Sequence, residues 1–336
     1  MPWSPNATVK INGVAVTNYT LEGVSITLGR EDIQQQANSG FATIEFLNLP
    51  YTDVEIFDII AVTIDNYTGV DTTIFTGTVT DVSVSVLDAG TTNTFITQIS
   101  ASGGLSELAA KEANIVGYAE QKDGDRIVSV ITDTFGLKWN ELPLTQVWTD
   151  YTTETWADLL GVSIANIDTP GTYDLFDSTG SPEPTNALTY VQTVANSGSG
   201  FIYETPTGGI GYQDQDARAD YVSANGFVAL SKNYILADNI NVTTSRNDIV
   251  NDVIVVYGAA QNSVEVEELD SISAYGRITN TVQTYLKNST DADTLADRLV
   301  LLNAYPTPII QGITVQIDAP TISSTLLNSL VGVFFG

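Results

Sequence analysis

Phe75-Thr76-Gly77-Thr78-Val79-Thr80-Asp81-Val82-Ser83-Val84-Ser85-Val86 is the stretch on which the fold turns. Its apolar residues recur every second position, the spacing of a strand with one face against a core. Phe75, Gly77 and Val79 share one parity, whereas Val82, Val84 and Val86 share the other. A strand cannot move its buried set to the opposite parity without an extra residue. The sequence therefore predicts a β-bulge or sharp bend near Thr80-Asp81. Working outward, the same texture holds over residues 1–100. Upstream lie Val9, Ile11 and Val14, then Val24-Ser25-Ile26-Thr27-Leu28, Phe41 to Leu47 and Ile59 to Ile64; downstream lies Thr94 to Ser100. Short β-branched and aromatic runs between Gly, Asn and Asp turns indicate a barrel or sandwich.

The texture changes after Ser100. Gly103-Gly104 opens a helical segment, Leu105 to Ala113, with Leu105, Leu108 and Ala109 on one face. Asp125 is placed to cap a second helix whose Ile127, Val130, Ile131 and Phe135 share a face, with Gly136 as its stop. A stretch containing Trp139, Trp148 and Trp156 follows, and Asp177 to Pro184 has loop composition. Thr185 to Ser197 is the best helix of this region, with Leu188, Val191, Val194 and Ala195 as its stripe. Gly200 to Glu204, a turn at Pro206 to Gly209, and Ile210 to Asp214 read as a hairpin.

From about Ile235 the chain returns to β structure. Ile240 to Thr244 and Val264 to Glu267 alternate, and Val253-Ile254-Val255-Val256-Tyr257 is apolar on both faces, as in a fully buried strand. One helix is expected, Asp291 to about Ala304, with Leu295, Leu299 and Leu302 as its stripe. Ser289 or Thr290 would cap it and Pro306 would stop it. Ile309-Ile310 and Gly312 to Ile317 supply further strands. The fold class read from this order is mainly β with an α+β insertion: β regions at residues 1–100 and 236–336 flank a mixed region at 101–235. The chain shown closes on Val331-Gly332-Val333-Phe334-Phe335-Gly336, an apolar run with no polar exit, so either this end docks into a core or, the expectation carried forward, the chain stops short of a longer protein.

Composition excludes several functions. The 336 residues carry 12 Lys+Arg against 40 Asp+Glu, a net charge of −28, yet only 15% are charged; cations are what is missing. Without a basic cluster there is no means of displacing counterions from a phosphate backbone, so specific nucleic-acid binding is not expected. Zero Cys removes disulfides, thiolate metal sites and cysteine nucleophiles; zero His removes Ser-His-Asp triads, His general bases and nearly all zinc sites. Apolar runs such as Asp58 to Ile64 fall far short of the ~20 residues that span a bilayer, and Met1-Pro2-Trp3-Ser4-Pro5 lacks the regions of a signal peptide. A soluble chain without stable membrane insertion is expected, outside the general secretion route.

No constellation carries chemistry. Asp214-Gln215-Asp216-Ala217-Arg218-Ala219-Asp220 resembles part of a calcium loop, but no Gly stands at its sixth position and Asn225 occupies the twelfth, where a Glu is required. A solvated hairpin exit is the plainer reading. Asp123-Gly124-Asp125 reads as a turn leading to a helix cap. A two-carboxylate glycosidase is chemically allowed, with the three central Trp as its sugar platforms, although Trp more often serves a core or an interface. Gly103-Gly104 lacks the Lys-Ser/Thr of a P-loop. Asn6-Ala7-Thr8, Asn18-Tyr19-Thr20 and Asn66-Tyr67-Thr68 match the glycosylation triplet by chance in an Asn- and Thr-rich chain. No catalytic, cofactor-binding or metal-ligating residue is assigned, and no enzyme is expected.

Four blocks, in order, resemble minor tail proteins of long-tailed bacteriophages, the group related to the baseplate or tail-tip hub. The first is Leu21 to Gln36, containing Gly29-Arg30, followed by Gly40 to Phe46. The second is Phe75-Thr76-Gly77-Thr78-Val79-Thr80-Asp81-Val82. The third is the helix at Ala187 to Asn196 leading into Gly200 to Glu204. The fourth is Arg246 to Gly258, with Ser271 to Arg277 and the helix Ala292 to Leu302. Their joint order and spacing over most of residues 20–320 carry the resemblance.

The resemblance implies two tube-type β-barrel domains, 1–100 and 236–336, the second with one helix and truncated at its C-terminus, flanking a mixed middle domain, 101–235. It implies a structural virion protein of the tail tip, assembled in the host cytoplasm as a homotrimer that rings the tail channel. Its implied partners are the distal tail or tube-end protein, the tape measure, and spike or fibre proteins. DNA would only transit, and a lumen carrying much of the −28 surplus would repel it. Two alternatives stand beside this one: a receptor- or glycan-binding tail protein using the Trp-rich region, and a tail-associated cell-wall hydrolase.

Overall fold

The computed structural model of the chain describes residues 6–30, 35–65, 71–88, 94–113, 116–135, 166–179, 185–225 and 241–312. The first region is one antiparallel sheet of seven strands: β1 (Ala7–Ile11), β2 (Val14–Ala15), β3 (Thr20–Gly29), β4 (Asn38–Leu47), β5 (Ile59–Asp65), β6 (Asp71–Asp88) and β7 (Thr94–Ser102). Their order is β2-β1-β5-β6-β7-β4-β3. Apolar side chains line up across it in rows. Val24 pairs with Ile44, Ile44 with Ile99, and Ile99 with Val82; the next row runs Ile26, Ala42, Ala101, Val79. Val9 from one side of the sheet and Leu21, Val24 and Ile26 from the other edge strand share one core, so the sheet curls on itself. Its outer strands are not hydrogen-bonded to each other, and no closed barrel is found among the described residues. The molecule is mainly β with several antiparallel sheets, as expected; the expected closed barrel is not found.

The bulge lies where the parity change puts it. Val79 faces Ala101 and Asp81 faces Ser100, leaving Thr80 as the extra residue. Val79 stays buried on one side of it and Val82 packs against the same core on the other. Gly77 is also dictated here, since a Cβ at that position would collide with the Ser102 carbonyl and the Phe75 ring.

Beyond the sheet come α1 (Gly104–Ala109), β8 (Gln121–Lys122), α2 (Asp123–Phe135), β9 (Asn166–Ile167), β10 (Asp174–Leu175), α3 (Ala187–Ser197), β11 (Phe201–Glu204), β12 (Ile210–Gln213) and α4 (Gln215–Asn225). The hairpin β11-β12 forms as read, with β9 added parallel to β12. The side chain of Asn186 caps α3 by accepting from Thr189 N–H at 3.2 Å, and Val191, Val194 and Ala195 are buried along it. Then follow β13 (Asn241–Thr243), β14 (Asp252–Tyr257), β15 (Asn262–Glu267), α5 (Leu269–Tyr275), β16 (Thr279–Gln283), α6 (Ser289–Asn303) and β17 (Ile309–Gly312). Strand β14 is central in its sheet, antiparallel to β15 and parallel to β16. Val253 and Val255 are fully buried against the core, whereas Ile254 and Val256 are half-buried, so only one face of the strand is sealed. A single apolar core joins Leu105, Ile127, Val191 and Ile210 to Val253, Leu286 and Leu295.

Several local expectations are corrected. Two α-helices, not one, lie in the last region among the described residues. The cap of α6 is Asn288, whose side chain accepts from Asp291 N–H at 2.9 Å, in place of Ser289 or Thr290. Its buried stripe is Ala292, Leu295, Ala296, Val300 and Asn303, with Leu299 half-buried against the same core; Leu302, expected in the stripe, is exposed. Helix α1 ends at Ala109, which is exposed. Helix α2 begins at Asp123, so Asp125 lies within its first turn. Gly136, the three central Trp and the apolar end at 326–336 lie outside the described residues.

Candidate functional site

The segment 214–220 is not a calcium loop. From Gln215 it is α4, and the Asp214 carboxylate caps that helix by accepting from Ala217 N–H at 2.8 Å. Its second oxygen accepts from Thr172 N–H at 3.1 Å, so a buried side chain ties two loops together. The aromatic platforms of the glycosidase and glycan readings, Trp139, Trp148 and Trp156, are outside the described residues.

Sequence reasoning missed a buried acidic network in the middle region. Asp123 is fully buried and accepts from the Tyr212 hydroxyl at 2.5 Å and from Tyr173 N–H at 3.1 Å. Burial pushes its carboxyl up to about 6, with the Asp214 charge adding to the rise; the Tyr212 and Tyr173 hydrogen bonds oppose it. The Tyr212 hydroxyl is itself raised, first by burial and then by Asp123. A buried acid with a raised proton affinity is one signature of an active site, but structural networks show it too. Here every polar atom of the Asp123 side chain points at a fixed protein group. The arrangement binds α2, the 172–173 segment and the hairpin to one another.

A second buried acid, Glu204 at the end of β11, performs a similar tie between regions. Its carboxylate accepts from Gly40 N–H at 2.7 Å on β4 and from Leu105 N–H at 2.5 Å at the start of α1, and Ser39 Oγ lies at 3.3 Å. Gln36 completes the junction: its amide donates to Asn196 Oδ1 at 2.7 Å and to Gly200 O at 2.9 Å, and its oxygen accepts from Ile202 N–H at 3.0 Å. The first and third blocks of the resemblance are therefore in direct contact. Neither residue could have been singled out from the sequence, since their partners lie between 99 and 166 residues away.

A third cluster stands on the open face of the β14 sheet. Arg277 Nη1 reaches Asp252 Oδ2 at 3.0 Å and Glu265 Oε1 at 3.5 Å, and contacts Glu267. Asp252 is buried and the two glutamates are partly exposed.

The largest chemical anomaly is apolar. β5 pairs with β6 only as far as Thr78, so among the described residues the strand has a neighbour beyond the bulge on the β7 side alone. Val84 (43%), Val86 (65%) and Leu87 (60%) are exposed along this bare edge, and Phe57, 70% exposed, sits at its root through a hydrogen bond from its N–H to Val79 O. Monomeric proteins blunt such edges or cover them.

No family model matches the sequence, and no curated protein matches it. Solved structures do. The tail protein from Neisseria meningitidis MC58 superposes with a TM-score of 0.54 at 10% identity, over 88% of this chain and 76% of its own. The prophage MuSo2 43 kDa tail protein from Shewanella oneidensis gives 0.46 at 13% identity, over 92% and 85%. Prophage tail protein gp18 from Listeria monocytogenes EGD-e gives 0.47 at 11% identity, over 90% and 79%. At such identities the likeness is one of fold, and the Neisseria protein alone of these three superposes well enough to carry it. This chain shares its fold with that Neisseria protein.

Proposed function

We propose that the chain is a structural component of a bacteriophage tail, and that three copies form a tail-tip ring around the channel. The observation that carries this reading is the bare, apolar edge of β6 beyond Thr80. An exposed edge with alternating valines is a template for a strand from another chain, because its main-chain donors and acceptors have no second strand partner among the described residues and its side chains supply apolar area. The two β regions, 1–100 and 236–336, are read as tube-forming domains that complete their sheets between copies, with 101–235 as the mixed domain between them. Neighbouring tail proteins would bind the two rims of such a ring. The buried acids Asp123, Asp214 and Glu204 act in this reading as internal ties, and no catalytic step is assigned to them.

Sedimentation equilibrium tests the edge. Wild-type chain is expected to give a mass of three copies at micromolar concentration, and Val84→Lys/Val86→Lys is expected to give one copy at unchanged melting temperature, since both side chains are solvent-exposed within a single chain. A wild-type mass of one copy, or a variant that assembles like wild type, contradicts the role of this edge.

A further inference from the structure

We propose that Asp252, Glu265 and Glu267, on the open face of the β14 sheet, form a binding site for a divalent cation of the calcium type. The register puts them there. Asp252 on β14 lies opposite Glu267 on β15, and Glu265 lies opposite Ile254, two residues further along. All three project from the face opposite Val253 and Val255, which pack into the core. Oxygens of the three carboxylates lie within 4.8 Å of one another, a spacing a single ion can bridge.

Charge and hydrogen bonding both leave the cluster incomplete. Arg277 supplies one positive charge against three negative ones. It takes Asp252 Oδ2, which also accepts from Thr279 Oγ1 at 2.6 Å. Asp252 Oδ1 is sealed from water and has no hydrogen-bond donor. The Asp252 side chain as a whole is 98% buried, its exposure being 2%. A buried carboxylate oxygen left without a partner is costly.

A hard cation answers both deficits. Calcium takes six to eight oxygens at about 2.3–2.6 Å in irregular geometry and accepts water in its remaining positions. Asp252, held in place by Thr279 and by its burial, would be the fixed ligand. Glu265 and Glu267, at 51% and 30% exposure, have the freedom to close on the ion. Arg277, at 47% exposure, has room to remain on Oδ2 or turn to solvent. The cluster's charge would rise from −2 to zero. A chain of net charge −28 also gathers divalent ions diffusely, so the test must separate a site from an atmosphere.

Calorimetric titration of the full chain with calcium chloride, at constant ionic strength, does so. The expected result is one saturable site per chain, weakened at least tenfold in Glu265→Gln and unchanged in Asp293→Asn, an exposed acid on α6 far from any role in the cluster. Melting temperature should rise with calcium in wild type and in Asp293→Asn but not in Glu265→Gln, which is a substitution on an exposed edge strand and is expected to fold. Heats that never saturate, or a saturable site that Glu265→Gln leaves intact, overturn the proposal. Both outcomes are independent of whether the chain forms a ring.

Discussion

Asp123 shows how far a single residue can be read. In the sequence it is half of Asp-Gly-Asp, a turn signal, and nothing marks it as the most constrained carboxylate of the middle region. Its hydroxyl partner, Tyr212, is 89 residues away. Long-range polar partners leave no periodic trace, so Asp123, Glu204 and Gln36 were all illegible; the capping role of Asp214 was hidden for a different reason, because its Asp-x-Asp spacing imitates a loop. By contrast Gly77 and Val79 were legible as strand residues from parity alone. The burial of Asp123 has a measurable consequence. With its folded-state carboxyl at about 6 against 3.8 for an ordinary aspartate, the folded chain binds this proton more tightly than the unfolded chain does. Its contribution to stability is therefore full below about pH 4 and is lost as pH rises through 6, by about 3 kcal/mol for a shift of this size. Asp123→Asn cannot titrate. Urea unfolding of both proteins between pH 4 and pH 7.5 should show wild type losing stability relative to Asp123→Asn across that window, then running parallel above it. A constant difference over the whole range would mean that Asp123 ionises as an ordinary surface acid.

Among elements, β6 was the most legible and the most informative. Its bulge at Thr80 was visible because apolar residues changed parity there. A second irregularity in the same strand was not: Val62 pairs with Phe75 but Thr63 with Thr73, leaving Ile74 without a partner. Ile74 and Phe75 are both apolar and both contact the core, so no parity change betrayed the extra residue. Helix α6 shows the matching limit for helices. Leu295 and Leu299 face the core as their spacing predicts, whereas Leu302 is exposed and Ala292, Ala296, Val300 and Asn303 complete the buried side. The Thr80 bulge gives a sharp prediction. Deleting Thr80 leaves Val79 opposite Ala101 and Asp81 opposite Ser100, and keeps Val82 on the core side. The Thr80-deleted chain should therefore fold with a melting temperature within a few degrees of wild type, while losing the extra bend and twist that a bulge imparts. Deleting Thr76 instead turns Val79 outward and should prevent folding. Thermal melts by circular dichroism compare them; a Thr80 deletion as damaging as the Thr76 deletion would show that the bulge is needed for the core itself.

At the scale of the whole molecule, the sequence order β, mixed, β was readable from texture, but closure was not. Alternation tells which face of a strand is buried and says nothing about whether the first and last strands meet. The seven-stranded sheet curls far enough for Val9 and Val24 to share a core without its outer strands pairing. Likewise the shared core of Ile127, Val191, Val255 and Leu295 could not be foreseen from a division into consecutive regions. For a chain of charge −28, an apolar strand edge such as that of β6 is where self-association would meet less repulsion than at its acidic side chains. The most direct measurement is electron microscopy of the purified, assembled chain, averaged without imposed symmetry. Averages showing a threefold ring about an open bore are the predicted result. Single compact particles with neither an axis nor a bore, at concentrations well above those of the sedimentation experiment, would contradict it.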